Sequence, residues 1–413
     1  MSSTIQNGCF DAVKWLHMNN LPWNGTCNYS SGKLGNLQLI QWMNANGCSW
    51  NEETASGAAR GGHLNLLKYL HENECPLEFS VIESAAEGGY KEILQWALDV
   101  GLEVGEGAID RACSGGSLET VQWLVEKSFP WDSLACDSAA AGGHIHILNW
   151  ADKNGEHCTA EAYLHAAHSG NIEVLQWLFD HNIQIDCATC EWAARGGSLE
   201  ALKWARLNNF PWDEQTCAQA KQLEILKWCK ENGCPWDETT CSHASSEGNM
   251  EILKWARENG CPWNSETFAH AASNGNTTMM DWLKENGCPY DETVAAAGNF
   301  KALQWIRKNE LHWDERTFTA AACNGNLQVL EFLKDSNCPW DESTCAMADN
   351  LEVLQWLRNN GCPWNEETIL NAANSDKFEM VEWAKENGCP CSEETLQILT
   401  NHLKEQESES EEQ

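Results

Sequence analysis

The sequence lacks any run of eighteen apolar residues, which is about the minimum for a helix that crosses a bilayer. Its first fifteen residues also lack the charged and apolar segments of a secretory signal. We therefore expect no contact with membranes and a location inside the cell, in the cytoplasm.

Basic residues are scarce. Lys and Arg together number 26, against 61 Asp and Glu, and the formal net charge of the 413 residues is −35. Because such a charge repels phosphate backbones, the composition predicts no nucleic-acid partner. It favours instead a partner protein with a basic surface, which long-range attraction captures quickly.

Catalytic and cofactor motifs are absent: there is no G-x-S-x-G, phosphate-binding loop, dinucleotide fingerprint or H-E-x-x-H. The sequence therefore predicts neither an enzyme nor a cofactor. One C-x-x-C motif joins Cys187 and Cys190, and His165 and His168 precede it. Without a second pair of ligands, these residues favour packing over a metal site. They define an alternative function, that of an intracellular thiol- or metal-responsive protein.

An aromatic residue recurs along almost the whole chain. The interval is 27 residues from Trp15 to Trp204, and three later intervals shorten to 24, 23 and 24 residues. We name these fifteen positions the anchors; they are Trp15, Trp42, Tyr69, Trp96, Trp123, Trp150, Trp177, Trp204, Trp228, Trp255, Trp282, Trp305, Phe332, Trp356 and Trp383. A fixed period of this length is typical of a solenoid. We predict one repeat domain over residues 1–400 that acts as a monomer.

Each unit contains two predicted helices. Residues 248–263, GNMEILKWARENGCPW, place apolar side chains at helical spacing, and Gly260 ends this helix. Asn264 then caps another helix, which has a thin Ala271-Ala272 face and which Gly275 closes. No segment alternates apolar and polar residues long enough for a strand. We therefore predict an all-α fold, an α-solenoid of about 14 stacked helix-turn-helix repeats.

Three further expectations follow from the repeat. The anchors should be buried between neighbouring units. Asp or Asn should cap the first helix of eleven units, with Thr159 and Ser392 as alternative caps. The chain opens at the second helix of a unit, and residues 401–413 are predicted to be the polar end of a capping helix followed by a disordered acidic tail.

Eight of the 21 cysteines share one repeat position, six residues after the anchor. Equivalent atoms of stacked helices lie about 10 Å apart, beyond the roughly 7 Å that a disulfide tolerates. We therefore predict reduced, packed thiols at these positions. The eight residues are Cys48, Cys75, Cys234, Cys261, Cys288, Cys338, Cys362 and Cys389.

The pattern A-A-x-x-G-[HN]-L, as in residues 58–64, resembles the core of ankyrin repeats. An ankyrin unit has about 33 residues, so the unit here is about six shorter. The missing residues fall where the β-hairpin of the family would lie, and G-C-P-W-[DN] replaces the family's G-A-D-V-N. The chain thus resembles a short, degenerate ankyrin-like array of the kind expanded in some protists, algae and large DNA viruses. The resemblance implies stacked helix pairs without the hairpin, and a non-enzymatic scaffold for protein–protein interaction.

In ankyrin proteins the residues beside Ala-Ala on the first helix line the binding groove. The resemblance therefore implies partner contacts at Arg60, Arg111, His165, His168, Trp192, Arg195, His243 and His270, with Glu87, Ser114 and Ser138 at equivalent positions. Trp192 is the only Trp outside the two repeated aromatic positions, and Arg195 follows one helical turn later. Trp and Arg are enriched in interface hot spots. An alternative explanation is that Trp192 fills a packing gap left by Ile185.

Overall fold

The computed structural model describes residues 2–392 except 7, 9, 20, 24, 25, 104, 106, 132, 292, 293, 295–298 and 312. Over these residues the chain forms 29 helices and no strand, so the predicted all-α solenoid is confirmed. None of the described helices has the length and apolar character needed to cross a bilayer.

The chain divides into two compact units, Met1–Thr216 and Cys217–Gln413, and each is described by itself. In each, a first helix, a turn and a second helix repeat along the chain. The first helices are Ser2–Gln6, Thr26–Leu34, Glu52–Arg60, Ser80–Gly88, Ala108–Gly115, Ser133–Gly142, Glu161–Ser169, Thr189–Gly196, Glu214–Ala218, Glu238–Ser246, Ser265–Ser273, Glu315–Cys323, Glu342–Ala346 and Glu367–Asn374. The second helices are Phe10–Met18, Leu37–Ala45, Leu64–Glu72, Lys91–Asp99, Leu118–Glu126, Ile145–Lys153, Ile172–Asp180, Leu199–Leu207, Leu223–Glu231, Met250–Glu258, Thr277–Glu285, Phe300–Lys308, Leu327–Asp335, Leu351–Asn359 and Phe378–Glu386.

The prediction for the start of the array can be compared with the structure, whereas the prediction for its end cannot. A short first helix, Ser2–Gln6, precedes the helix Phe10–Met18, where the sequence had suggested a missing first helix. Its Ile5 is fully buried in a cluster with Val13 and Leu39. The predicted capping helix and acidic tail beyond Ser392 lie outside the described residues, and the single domain over 1–400 stays a prediction.

The predicted caps are observed at most described positions. Asn51 and Thr54 form a reciprocal capping box, in which each side chain accepts from the other residue's backbone N–H. Asp341 and Thr344 form a second capping box. Side-chain caps are also made by Thr159, Asp213, Asp237, Asp314 and Asn365. Asn264 is an exception, because it makes no cap hydrogen bond. The predicted caps Asn24 and Asp132 lie outside the described residues.

The turn from first to second helix is left-handed wherever the sequence placed a terminator. Ten glycines there have φ between 61° and 79°, and at the eleventh such position Asp376 adopts φ 55° without being glycine. An L-residue in that region is strained, which explains why glycine dominates the position. The ten are Gly35, Gly62, Gly89, Gly116, Gly143, Gly170, Gly197, Gly248, Gly275 and Gly325.

Small residues bring neighbouring first helices into close backbone contact. The Ala-Ala pairs, such as Ala166 and Ala167, are fully buried. A Cβ built on Gly57 would overlap the carbonyl oxygen of Tyr29, and one on Gly196 would overlap that of His168. The thin first-helix face is therefore a packing surface at which backbones touch.

The anchors depart from the prediction of full burial. Only Trp177 and Trp305 are buried, Trp15 is 63% exposed, and the other twelve are partly exposed. The reason is that each second helix turns its Leu, Ile and Val side chains inward and leaves the anchor near the rim. The indole N–H groups still link units: Trp177 Nε1 donates to Asn149 Oδ1 at 3.0 Å, and Trp204 Nε1 to Gln176 Oε1 at 3.0 Å.

Seven of the aromatic residues that follow an anchor by eight positions pack against the next anchor. The ring centroids are 5.8–6.4 Å apart with interplanar angles of 49–88°, edge to face in six pairs and tilted in Trp131–Trp150, and such contacts stabilise by about 0.5–1.5 kcal/mol. The pairs are Trp23–Trp42, Trp50–Tyr69, Trp131–Trp150, Trp236–Trp255, Trp263–Trp282, Trp313–Phe332 and Trp364–Trp383.

Gly196→Ala should destabilise the protein although Ala is the better helix former by about 1 kcal/mol. The added Cβ would force the helices Glu161–Ser169 and Thr189–Gly196 apart, which should lower the free energy of unfolding by about 1–3 kcal/mol. Gly88→Ala is the control, because its Cβ would meet mainly the movable Tyr90 ring. Thermal unfolding followed by circular dichroism measures both; equal melting temperatures would contradict the backbone-contact interpretation.

Candidate interaction surface

The predicted contact residues flank the buried small pair on their first helices. Those exposed to solvent are Arg111, His168, Arg195 and His270. Those partly exposed are Arg60, His165, Trp192 and His243. All eight therefore reach the surface of a first helix, and the question is which of them come together.

Three predicted contact residues nearer the start of the chain pair with side chains of neighbouring first helices. Arg60 forms an ion pair with Glu87 at 2.8 Å, and Arg111 forms one with Glu83 at 3.8 Å. Ser138 Oγ donates to Asp110 in the same way, one unit further on. Each contact joins neighbouring first helices, and partly exposed ion pairs of this kind contribute about 0–1 kcal/mol. Arg60 and Arg111 are thus links between repeats rather than a free binding surface.

Three predicted contact residues lie around the ring of a fourth, Trp192. The Trp192 ring contacts both His165 and His168, with centroid distances of 5.9 Å and 5.7 Å. The guanidinium carbon of Arg195 is 5.4 Å from the Trp192 ring centroid. We name these four residues the Trp192 cluster. It spans the helices Glu161–Ser169 and Thr189–Gly196, and its geometry follows from the close approach at Gly196.

The charge of Arg195 is available at the surface. Its side chain is exposed, and within the described part of the chain no carboxylate lies in ion-pair distance of it. Burial raises the pKa of the neighbouring Glu191, Asp213 raises it further, and Arg195 opposes the shift. The cluster therefore offers an aromatic face, two imidazoles and a cation side by side, which suits a planar or anionic group of a partner.

The packing alternative for Trp192 gains no support from Ile185, which is 41% exposed. A residue so open to solvent leaves no interior gap for the indole to fill.

His243 and His270 belong to the second unit. His243 lines a cavity of about 200 Å³ together with Lys221, Glu247 and Asn249, whereas His270 is exposed on the neighbouring helix. Among the described residues, His270 has no aromatic partner of the kind that Trp192 is for His165 and His168. These two predictions are therefore surface positions without a common geometry.

The alternative metal residues do not assemble. Cys187 is exposed, whereas Cys190 is buried with its Sγ 4.0 Å from the Phe210 carbonyl oxygen. Within the described ranges, one group of three potential ligands exists, and it consists of Cys217, Cys229 and Cys234. Sequence reasoning missed it because the three occupy different repeat positions. The available indication was that Cys229 replaces the Ala or Leu that usually follows an anchor.

The family of ankyrin repeats, described as "Ankyrin repeats (many copies)", matches residues 109–151 and 163–206. The predicted resemblance is therefore confirmed, and both matched segments include residues of the surface described above. No curated protein matches the sequence.

Among solved structures, the chain is similar to the pentatricopeptide repeat protein PPR10 from maize at 11% identity, with a TM-score of 0.29, over 96% of this chain and 79% of that one. It is similar to PPR10 in complex with an 18-nt psaJ RNA element at 11% identity, with a TM-score of 0.32, over 96% and 74%. A further structure of the RNA complex, in which three cysteines of that protein are replaced by serine, gives the same values.

The exclusion of nucleic acid is corrected by this comparison, because two of the similar structures hold an RNA element. The physical fault in the prediction is that a net charge of −35 describes the whole surface and does not decide what one local surface binds. The RNA belongs to those structures. Whether this chain captures nucleic acid is measured in the binding experiment proposed for it.

Trp192→Ala should be tolerated far better than Trp204→Ala. Trp204 contacts Phe179 and Phe210 and donates a hydrogen bond to Gln176, so its loss should cost roughly 2–4 kcal/mol. The ring contacts of Trp192 are with surface side chains of the Trp192 cluster, and its loss should cost about 1 kcal/mol or less. Urea unfolding of both variants measures the two losses of unfolding free energy. Equal losses would show that Trp192 is a core residue.

Proposed function

We propose, from the match of two of its segments to ankyrin repeats, that the chain is a non-enzymatic scaffold that binds a partner protein through the exposed faces of its first helices. The observation that carries the proposal is the Trp192 cluster. Elsewhere on the first unit, Arg60, Arg111 and Ser138 pair with side chains of neighbouring first helices. Here an indole, two imidazoles and a guanidinium that has no ion-pair partner among the described residues meet at the surface.

The composition of the cluster supports a role in binding. Trp and Arg dominate interface hot spots because a large ring and a planar cation gain much from exclusion of water. Histidines beside the ring add donors and acceptors for a polar rim. The proposal assigns no catalytic role and includes an intracellular location, which suits a chain with many thiols.

Replacing Trp192 and Arg195 together by Ala should weaken partner binding by about 2 kcal/mol or more, roughly 30-fold, because both hot-spot side chains are removed. The full chain serves as bait in extract from its own source cells, and captured proteins are quantified by mass spectrometry. A partner is accepted when its binding is then measured with purified components.

The matched control is the double variant Arg257→Ala and Trp263→Ala. These residues also form a cation–π pair, with 3.9 Å from guanidinium carbon to ring centroid against 5.4 Å for Arg195 and Trp192, but at a G-C-P-W turn and not beside a small pair. It should keep the partner. Equal loss in both variants, or capture of nucleic acid that nuclease treatment abolishes together with the protein, would overturn the proposal.

A further inference from the structure

Three cysteine side chains converge in the first repeat of the second unit. Cys217 lies on the helix Glu214–Ala218, Cys229 on the helix Leu223–Glu231, and Cys234 in the turn that follows. Their sulfur atoms all lie within 4.8 Å of one another, and the residues are 1%, 0% and 3% exposed. We name them the thiol triad.

The triad combines cysteines from three different positions of the repeat. Cys217 occupies the first-helix core position that Cys241 and Cys345 also hold, and Cys234 is the G-C-P-W cysteine. Cys229 follows the anchor, where the neighbouring units have Ala205 and Ala256. Elsewhere two of the positions place cysteine side chains next to each other, namely Cys241 beside Cys261 and Cys345 beside Cys362. The third sulfur is what distinguishes this repeat.

The backbone holds the second and third sulfurs in place. The N–H of Cys234 donates to the carbonyl oxygen of Cys229 at 2.9 Å, and Gly233 makes the left-handed turn between them with φ 82°. The positions of two ligands are thus set by the end of one helix, so no large rearrangement is needed to bring all three sulfurs to one ion.

The spacing suits a metal ion. Three sulfurs at about 2.3 Å from one ion stand about 4 Å apart when they are coplanar with it. The triad thus needs shifts of less than about 1 Å to reach that geometry.

The ligand count decides between ions. Structural Zn²⁺ takes four protein ligands, whereas in the described chain this group contains three sulfurs and no fourth His, Cys, Asp or Glu. Burial of all three residues also leaves little room for water as a fourth ligand. Soft thiolates select Cu(I), which accepts three of them.

We propose that Cys217, Cys229 and Cys234 form a binding site for one Cu(I) ion, or an ion of the same soft monovalent class, coordinated by three sulfurs. Each Cu–S bond uses an existing thiolate or replaces an S–H bond, and the displaced protons pass to solvent. No electron is transferred in this step.

Cu(I) titration of the whole protein tests the site. The reduced, metal-stripped chain is mixed under nitrogen with Cu(I) held by a chromophoric chelator, and copper taken from the chelator is counted per chain. Wild type should take one equivalent, and Cys229→Ala should lose it. That variant reproduces the residue found at Ala256, so it should fold. Cys338→Ala removes a buried G-C-P-W cysteine outside the triad and should keep the copper.

The neighbouring repeat allows a gain-of-site test. Ala256→Cys places a third sulfur beside Cys241 and Cys261, so this variant should take two equivalents. X-ray absorption at the copper edge should show three sulfur neighbours per copper. The proposal is overturned if Cys229→Ala keeps its copper, if the folded Ala256→Cys variant gains none, or if equimolar Zn²⁺ displaces Cu(I).

Discussion

Close backbone contact between neighbouring first helices is the constraint on which each unit depends. Gly57 and Gly196 approach carbonyl oxygens of the preceding repeat at distances that exclude even a methyl group. The second helices carry Leu, Ile and aromatic side chains and cannot approach so closely. A repeat with one thin and one thick helix must also turn sharply between them, which is why the left-handed residues between first and second helices recur.

This asymmetry also explains what the surface can do. Side chains that flank the small pair stand beside a contact between backbones, so residues of successive repeats are brought within reach of one another. Where the flanking residues have opposite charge, they form ion pairs, as Arg60 does with Glu87. Where they are aromatic and basic, as around Trp192, the same geometry creates a composite surface from two helices.

Much of the fold was predictable because the same local features recur in many repeats. The terminator glycines, the caps and the helix pairs each rest on local residue chemistry, and Asp376 is the one terminator position without glycine. The burial of the anchors was not predictable, since period alone does not fix which face of the second helix turns inward. For the same reason the sequence united His165, His168, Trp192 and Arg195 on one surface but did not anticipate that Arg60 is paired.

The thiol triad was not predicted from the sequence, for a different reason. Distances between equivalent positions correctly separate one G-C-P-W cysteine from the next, but they say nothing about different positions within one repeat. Cys217 and Cys234 come from opposite ends of a helix pair, and only the folded turn brings them together. A comparison of one repeat position at a time therefore misses sites that combine side chains from different positions.

The paired aromatic rings have an optical consequence. Within each unit, several indoles have another ring about 6 Å away, held edge to face on neighbouring repeats. Excitation absorbed by one indole of such a pair passes to the other before it is emitted, so the emitted light loses its polarisation even when the chain does not rotate. The intrinsic fluorescence of this protein thus reports the stacking of adjacent repeats and not the tumbling of the molecule.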